Sequence, residues 1–431
     1  MIDINLIREN RELVKENIKK KFQDSKLPMV DEVYEKDIKY RQIKTEADNL
    51  RSERNNISAS IGEFVRNKEM DKVADAKNKV NEINKKIEDI EKEEEKLQGE
   101  IKEIMMVIPN IIAPDVPIGE DDSKNVDEEH FGEALVPKYE IPYHADIMAT
   151  FNGLDKDAAA KVSGNGFYYL MGDIARLHSA VLAYARDFMI EKGFTYCIPP
   201  YMIHSDAVDG VMSFTEKENM MYKIEGEDLY LIGTSEHSMI AKFKDQIIDE
   251  EMLPITMTSY SPCFRKEVGA HGIEEKGVYR IHQFEKQEMV VICKPEDSEE
   301  WYNKMWNYSV ELFRSMDIPV RKLVCCSGDL ADLKYRSCDI EAWSPRQQKY
   351  FEVCSCSNLT DAQARRLAIR YKMENGNKAF AHTLNNTVVA PPRMLIAFLE
   401  NNYNEDGSIR IPKALQPYMG GKKVLIPVKK D

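Results

Sequence analysis

The chain has 431 residues, 43% hydrophobic and 31% charged, with a formal net charge of −14. That is enough for two or three domains and a sizeable core, and the acidic balance excludes a protein that coats nucleic acid indiscriminately while leaving room for a local basic surface. No apolar run approaches the length of a membrane span. The opening Met1-Ile2-Asp3-Ile4-Asn5 has neither the cationic n-region and apolar h-region of a signal peptide nor a transit-peptide composition. Eight cysteines include Cys325-Cys326 and Cys354-x-Cys356, spacings that fit neither a disulfide framework nor a zinc knuckle. The expectation is a cytoplasmic protein with free thiols and no zinc.

In chain order, Leu6 to Lys20 reads as a short amphipathic helix. Residues 37 to 105 then carry two heptad runs. Ile43, Ala47, Leu50, Ile57, Ile61 and Phe64 form the first seam, with Arg54 at one polar position. Val73, Ala76, Val80, Ile83, Ile87, Ile90, Leu97, Ile101 and Ile104 form the second, with Glu94 as its polar position. The phase breaks at Arg66 to Asp71, so the pattern predicts an antiparallel two-helix coiled coil with its tip near Asn67 to Met70. Helices of about thirty residues would be roughly 45–50 Å long. With one seam and no other core, such an arm is expected to project from a larger body.

Charge along the arm is graded. Arg66 to Lys86 holds seven Lys/Arg against four Asp/Glu, and Ile87 to Glu103 holds three against eight. Phosphates would be attracted to the outer part and repelled near the root. On charge alone, a solvated coiled-coil surface explains this equally well.

Pro109, Pro114 and Pro117, with the acidic stretch Gly119 to Glu129, mark a linker over about 109–138. From Tyr139 the composition is mixed. Leu229 to Ile232, Met289 to Cys293 and Lys349 to Val353 read as strands, and Arg176 to Lys192 and Leu395 to Tyr403 as helices. Without a Gly-rich phosphate loop, an α+β domain on an antiparallel sheet is favoured over a dinucleotide-binding fold.

The richest segment is Cys263 to Val291, C-F-R-K-E-V-G-A-H-G-I-E-E-K-G-V-Y-R-I-H-Q-F-E-K-Q-E-M-V-V. Inward-facing Arg, Glu and Phe on its two strand-like pieces are costly to bury unless a polyanionic, aromatic ligand satisfies them, and a nucleoside triphosphate does. An anonymous hairpin of this composition would otherwise be read as exposed and salt-bridged.

F-R-x-E followed by R-x-H-Q-F-x-K-x-E resembles motif 2 of the class II aminoacyl-tRNA synthetases, in the form found in the seryl-tRNA synthetase family. Other segments resemble that family in order: Ile4 to Asn10, Glu53 to Ser58 on the arm, Ile108-Pro109-Asn110, Pro114 to Pro117, Gly193 to Pro200 as motif 1, and His382 to Leu395 with Leu399-Glu400-Asn401 as motif 3. The resemblance implies an N-terminal tRNA-binding domain over 1–108 with a helical arm at about 37–105. It also implies a class II catalytic domain over 139–431, on a mainly antiparallel sheet flanked by helices. The implied reaction joins L-serine to ATP as seryl-adenylate, then passes the seryl group to tRNA(Ser) held by the arm through shape and backbone contacts. A homodimer built through motif 1 is implied too. Whether selenocysteine tRNA is also served stays open.

The resemblance further implies roles. Arg265 would meet the α-phosphate and the serine carboxylate, and Arg393 the γ-phosphate. Glu267 would read the adenine amino group, Phe284 would stack on the ring and the Ile281 backbone would line it. Lys266, Val353 and Cys354 complete the implied ATP set. Glu352 and Ser355 would hold Mg2+ through hard oxygen ligands. Serine would be selected by Thr234, Ser235, Glu236, Arg265, Glu288, Asn385 and Thr387, the last of which taken alone is an ordinary strand residue. Alanine would leave these polar groups unpaired.

The chain departs from the common pattern in three places. Gly269 to Gly277 carries acidic residues where arginine is frequent, Pro391-Pro392 precedes Arg393, and Gly233 to His237 resembles the archaeal and eukaryotic form. Proline suits a first helical turn, so a helix is predicted to start there with Arg393 undisturbed. The histidines, including His271, His282 and His382, lack metal spacing and are expected to be loop or packing residues, and Met105-Met106 and Met220-Met221 to be packing or exposed chain. Two rival readings are an amino acid:carrier-protein ligase, whose known relatives lack the long arm, and a non-catalytic coiled-coil protein, disfavoured by the intact Arg265, Glu267, Arg280, Phe284, Glu288, Glu352 and Arg393.

Overall fold

The two heptad runs fold as paired helices, each extending beyond its predicted span. The structure, a computed structural model, describes residues 1–267 and 277–428. Contacts divide the chain into two compact units, Ile2–Lys19 with Gln23–Pro109, and Met1 with Lys20–Phe22 and Asn110–Asp431.

In the first unit, α1 (Ile4–Glu9) and α2 (Arg11–Lys20) replace the single predicted helix. Asn10 separates them because its side chain accepts the Leu13 amide at 3.1 Å, capping the second helix. The arm consists of α3 (Leu27–Arg66, 40 residues) and α4 (Met70–Val107, 38 residues). At 1.5 Å per residue each is about 57–60 Å long, about 7–15 Å beyond expectation. Pro28 in its first turn starts α3 ahead of the seam. Its first ten residues bury Val30 and Val33, and Asp37 beyond them accepts from Arg8 Nε at 2.9 Å and Nη2 at 2.7 Å. That early turn has no heptad signature because it packs in this local core.

Along the seam, Ala47, Val73, Ala76, Ile83, Ile87, Leu97 and Ile101 are buried. Arg54 and Glu94 are half-buried at the two polar seam positions. The turn falls where the phase breaks, with Lys68 in the left-handed region at φ +59° and the Glu69 amide donating to the Phe64 carbonyl at 2.9 Å.

The second unit is organised by an eight-stranded sheet. Its strands are β1 (Val126–Phe131), β2 (Thr195–Tyr196), β3 (Ile255–Phe264), β4 (Gln283–Cys293), β5 (Val320–Val324), β6 (Arg336–Ser344), β7 (Lys349–Asn358) and β8 (His382–Val389). Their spatial order is β1-β5-β6-β7-β8-β4-β3-β2, antiparallel at every step except β3-β2. β1 comes from the segment predicted to be a linker. It is an exposed edge strand of sequence Val-Asp-Glu-Glu-His-Phe, so no buried face imposed an apolar alternation.

The two predicted helices occur as α5 (Gly172–Glu191) and α7 (Pro391–Asn402), and a further helix outside the expectation, α6 (Ser298–Ser315), lies between them in the chain. They cover one face of the sheet over a core that includes Leu177, Leu312, Phe313, Phe398, Met289 and Val291. Val290 and Ile292, alternating with those strand residues, enter a second core on the opposite face. Burial on both faces explains the unbroken apolar run Met289 to Cys293. No described helix is long and apolar enough to cross a membrane.

Candidate active site

The face of β4 that carries Val290 and Ile292 becomes polar toward the start of the strand, where Phe284, Lys286 and Glu288 line a cavity of about 370 Å³. That is within the size range of small-molecule sites. Strand alternation places these three side by side, while Glu285 points to the other face and pairs with His178 of α5 at 3.1 Å.

Neighbouring strands aim at the same space. On β8, Asn385 and Thr387 are two residues apart and both line the cavity. Thr387 is the register partner of Glu288, and its hydroxyl donates to Glu288 Oε2 at 3.4 Å, while Lys286 Nζ lies 2.5 Å from the same oxygen. On β7, Glu352 and Ser355 are three apart and would face opposite ways in a regular strand. The β6-β7 register shifts between Cys354 and Glu352, leaving Val353 without a partner. This bulge turns Glu352 to the side of Ser355 and Ser357, and all three line the cavity.

A short helix, α8 (Ser235–Ala241), begins at the N-cap Thr234, whose hydroxyl accepts the Glu236 amide at 3.3 Å. Glu236 Oε1 accepts from Asn385 Nδ2 and Gln363 Nε2, each at 2.9 Å. Burial and the facing Glu288 carboxylate push Glu236 up to about 7, with Gln363 opposing. Burial, with Arg265 and Lys286 nearby, pushes His237 down to about 3, so it is neutral.

Past the end of β3, Arg265 donates from Nε to the Gly233 carbonyl at 3.1 Å and lies over the Phe284 ring at 5.3 Å. Glu267 sits 3.6 Å from Arg280, and its backbone is left-handed at φ +47°. Helix α7 starts at Pro391 as predicted, and Arg393 in its first turn donates to Glu352 Oε2 at 2.8 Å and stacks over Tyr279 at 4.5 Å. Burial alone would lower the Arg393 pKa, but Glu352 and Tyr279 more than offset it.

Thus Arg265, Glu267, Ile281, Phe284, Glu352, Val353, Cys354, Ser355, Arg393, Thr234, Glu236, Glu288, Asn385 and Thr387 all line one cavity. Two residues of the predicted set do not. Lys266 is not among the lining residues, and its Nζ donates to the Glu218 carbonyl at 3.3 Å. Ser235 is fully buried behind the wall, as the first residue of its helix. The acidic loop Gly269 to Gly277, with His271, lies outside the described residues except for Gly277.

Sequence reasoning missed Lys286, His237, Tyr279, Glu216 and Lys334, which also line the cavity. Lys286 and Tyr279 lie within the quoted Cys263–Val291 segment, so strand alternation from Phe284 would have found Lys286. Glu216 and Lys334 come from segments with no signal of their own. Cys325, Asp329 and Asp339 bring one ligand atom each within 4.8 Å of one another. Burial, Asp339 and Asp329 raise the Cys325 thiol far above its ordinary range, the opposite of an activated thiolate. His282 and His382 pack as expected, the first against the Arg265 carbonyl at 3.0 Å and the second against Ser298 Oγ at 3.0 Å.

The chain resembles known proteins along its whole length. Residues 1–112 match the seryl-tRNA synthetase N-terminal domain, and residues 220–402 match the tRNA synthetase class II core domain (G, H, P, S and T). The serine–tRNA ligases of Thermococcus sibiricus and Pyrococcus furiosus are 43% and 42% identical, each over 100% of this chain and 98% of the relative. The crystal structure of seryl-tRNA synthetase from Pyrococcus horikoshii complexed with ATP superposes with a TM-score of 0.94 at 41% identity, covering both chains fully. The cytoplasmic serine–tRNA ligase of Naegleria fowleri in complex with AMP gives 0.88 at 32% identity, over 100% of this chain and 99% of that one. The fold, the cavity and these likenesses together mean that the chain belongs to the seryl-tRNA synthetase family.

Proposed function

We propose that the cavity carries out both half-reactions of a serine–tRNA ligase, with residue roles that follow from its geometry. In the first, a serine carboxylate oxygen attacks the α-phosphorus of ATP and the bond to the β-phosphate breaks. Seryl-adenylate forms and pyrophosphate leaves. In the second, a terminal ribose hydroxyl of tRNA attacks the activated carbonyl and AMP leaves. The carboxylate is already a nucleophile, so the first step calls for positioning and positive charge rather than a general base.

Arg265 supplies that charge at the α-phosphate and serine carboxylate. Its side chain is held by the Gly233 carbonyl and the Phe284 face, without a carboxylate at salt-bridge range among the described residues. Phe284 stacks on adenine, with Glu267 and the Ile281 backbone at the ring edge. Arg393 takes the γ-phosphate. Its pairing with Glu352 orients both groups. The bulge that brings the Glu352 carboxylate and Ser355 hydroxyl to one side presents two hard oxygen donors, a set that suits Mg2+. The ion would offset phosphate charge there.

Serine occupies the end lined by Thr234, Glu236, Glu288, Asn385 and Thr387. Glu236, in its anionic form, meets the substrate ammonium, and Glu288 with Thr387 meets the hydroxyl. The observation that carries the reading is the convergence of this carboxylate-rich pocket with Arg265, Phe284 and Arg393 in one cavity. Serine-dependent ATP–pyrophosphate exchange by the pure protein tests it, and no exchange would refute it.

The partner RNA is tRNA(Ser), gripped by the outer, locally basic part of α3 and α4. The working form is a homodimer. Support comes from Ile190, Ile198 and Met202 around motif 1, which are exposed large apolar side chains of the kind an interface covers. Its compartment is the cytoplasm, in keeping with eight free cysteines.

A further inference from the structure

Lys334 differs from most cations of the cavity. Arg280, Lys286 and Arg393 face Glu267, Glu288 and Glu352 at 3.6, 2.5 and 2.8 Å. The Lys334 ammonium donates instead to the Ser337 hydroxyl at 3.3 Å, and no carboxylate among the described residues lies within salt-bridge distance of it. Burial alone would lower its pKa, but Cys325, Asp339, Glu216 and Glu352 more than offset that, so the group is charged. A half-buried cation without an ion pair is expensive unless an anion arrives to meet it. Among the described cations of the cavity Arg265 alone shares this condition, and it is assigned to the α-phosphate and the serine carboxylate.

The backbone leading to Lys334 is held at four consecutive carbonyls. Lys21 Nζ donates to the Leu330 oxygen at 2.7 Å and the Ala331 oxygen at 3.4 Å. The Asn110 amide donates to the Asp332 oxygen at 2.7 Å, and its side-chain Nδ2 to the Leu333 oxygen at 3.0 Å. Lys21 is only 2% exposed, an unusual burial for an ammonium. The Leu330 and Ala331 carbonyl oxygens accept from it. Ala331, Leu333 and Lys334 all line the cavity, so these bonds fix part of its wall.

We propose that Lys334 is a substrate-binding cation of this cavity, contacting a phosphate of ATP or the carboxylate of serine, and that Lys21 and Asn110 are positioning residues that hold it there. The proposal rests on the ligase reading and adds residues to it. Lys21 and Asn110 touch no reacting atom. They act through the 330–334 backbone.

Pyrophosphate exchange with ATP and serine varied separately tests this in the full chain. Lys334→Met should raise one KM by about ten- to a hundredfold, the loss expected for one charge-assisted hydrogen bond, with partial recovery in Lys334→Arg. A rise for ATP identifies the phosphate and a rise for serine identifies the carboxylate. Lys21→Met should raise the same KM and add little in the Lys334→Met background, because both changes remove one contact. Thermal unfolding establishes that each variant is folded. Unchanged KM values in folded Lys334→Met would overturn the contact, and additive losses in the double variant would overturn the positioning role. Should Lys334→Met not fold, Lys21→Met is read alone, and an unmoved KM there overturns the proposal. Absence of exchange by the unsubstituted protein would instead sink the ligase reading.

Discussion

Glu236 and Asn385, 149 residues apart in the chain, meet at 2.9 Å, the side-chain amide donating to the carboxylate. The bond joins the first turn of a short helix to the inward face of β8. It leaves the second carboxylate oxygen for another partner in a pocket that also holds Glu288.

The burial of Glu236 beside Glu288 sets a pH dependence. Burial and Glu288 raise Glu236 to about 7, so below that pH the carboxyl of the free protein is mostly protonated. An ammonium ligand favours the anion. Serine binding should therefore tighten as pH rises through about 7 and weaken below it, by at most about tenfold per pH unit. Calorimetric titration with serine between pH 5.5 and 8 checks the slope. Glu236→Gln should flatten it, and an unchanged slope would remove Glu236 from the ammonium site.

Arg265→Ala should reduce pyrophosphate exchange by at least about a hundredfold, since the lost charge stabilises the transition state rather than the ground state. Arg393→Ala should act more through the KM for ATP. Wild-type exchange in a folded Arg265→Ala protein would refute its assignment.

Thr387→Val keeps shape and removes a hydroxyl that donates to Glu288 at 3.4 Å. The KM for serine should rise by about tenfold with the KM for ATP unmoved, as for loss of one hydrogen-bonding group. Steady-state exchange with each substrate varied separates the two. A rise in the ATP constant instead would place Thr387 elsewhere in the cavity's chemistry.

How much of this was legible beforehand depends on whether the determining interactions are local. The arm's seam, its turn and the start of α7 at Pro391 follow from heptads, a phase break and proline. Phe284 and Glu288 share a face by strand alternation. Glu352 and Ser355 share one only because of the bulge at Val353, which no pattern in Glu352-Val353-Cys354-Ser355 announces. The same holds for Lys21 and Asn110, whose partners lie 309 and 223 residues away. β1 escaped notice because a charged edge strand has no buried face to pattern. Motif resemblance alone places Lys266 in the ATP set, and its Nζ instead reaches the Glu218 carbonyl.

Deleting Arg54 to Asn84 removes the outer arm, including much of the basic stretch, and leaves the cavity untouched. Exchange should persist at near wild-type rate while aminoacylation of tRNA is lost. Circular dichroism should show reduced helix with the catalytic unit's unfolding intact. Normal charging by this variant would end the proposed role of the arm.

Serine-dependent ATP–pyrophosphate exchange, measured beside charging of total tRNA by the same pure protein, tests the assignment most directly. Both activities should appear, and exchange should require serine. Absence of exchange would contradict the enzyme reading, and exchange without any charged tRNA would point to a ligase with a different acceptor.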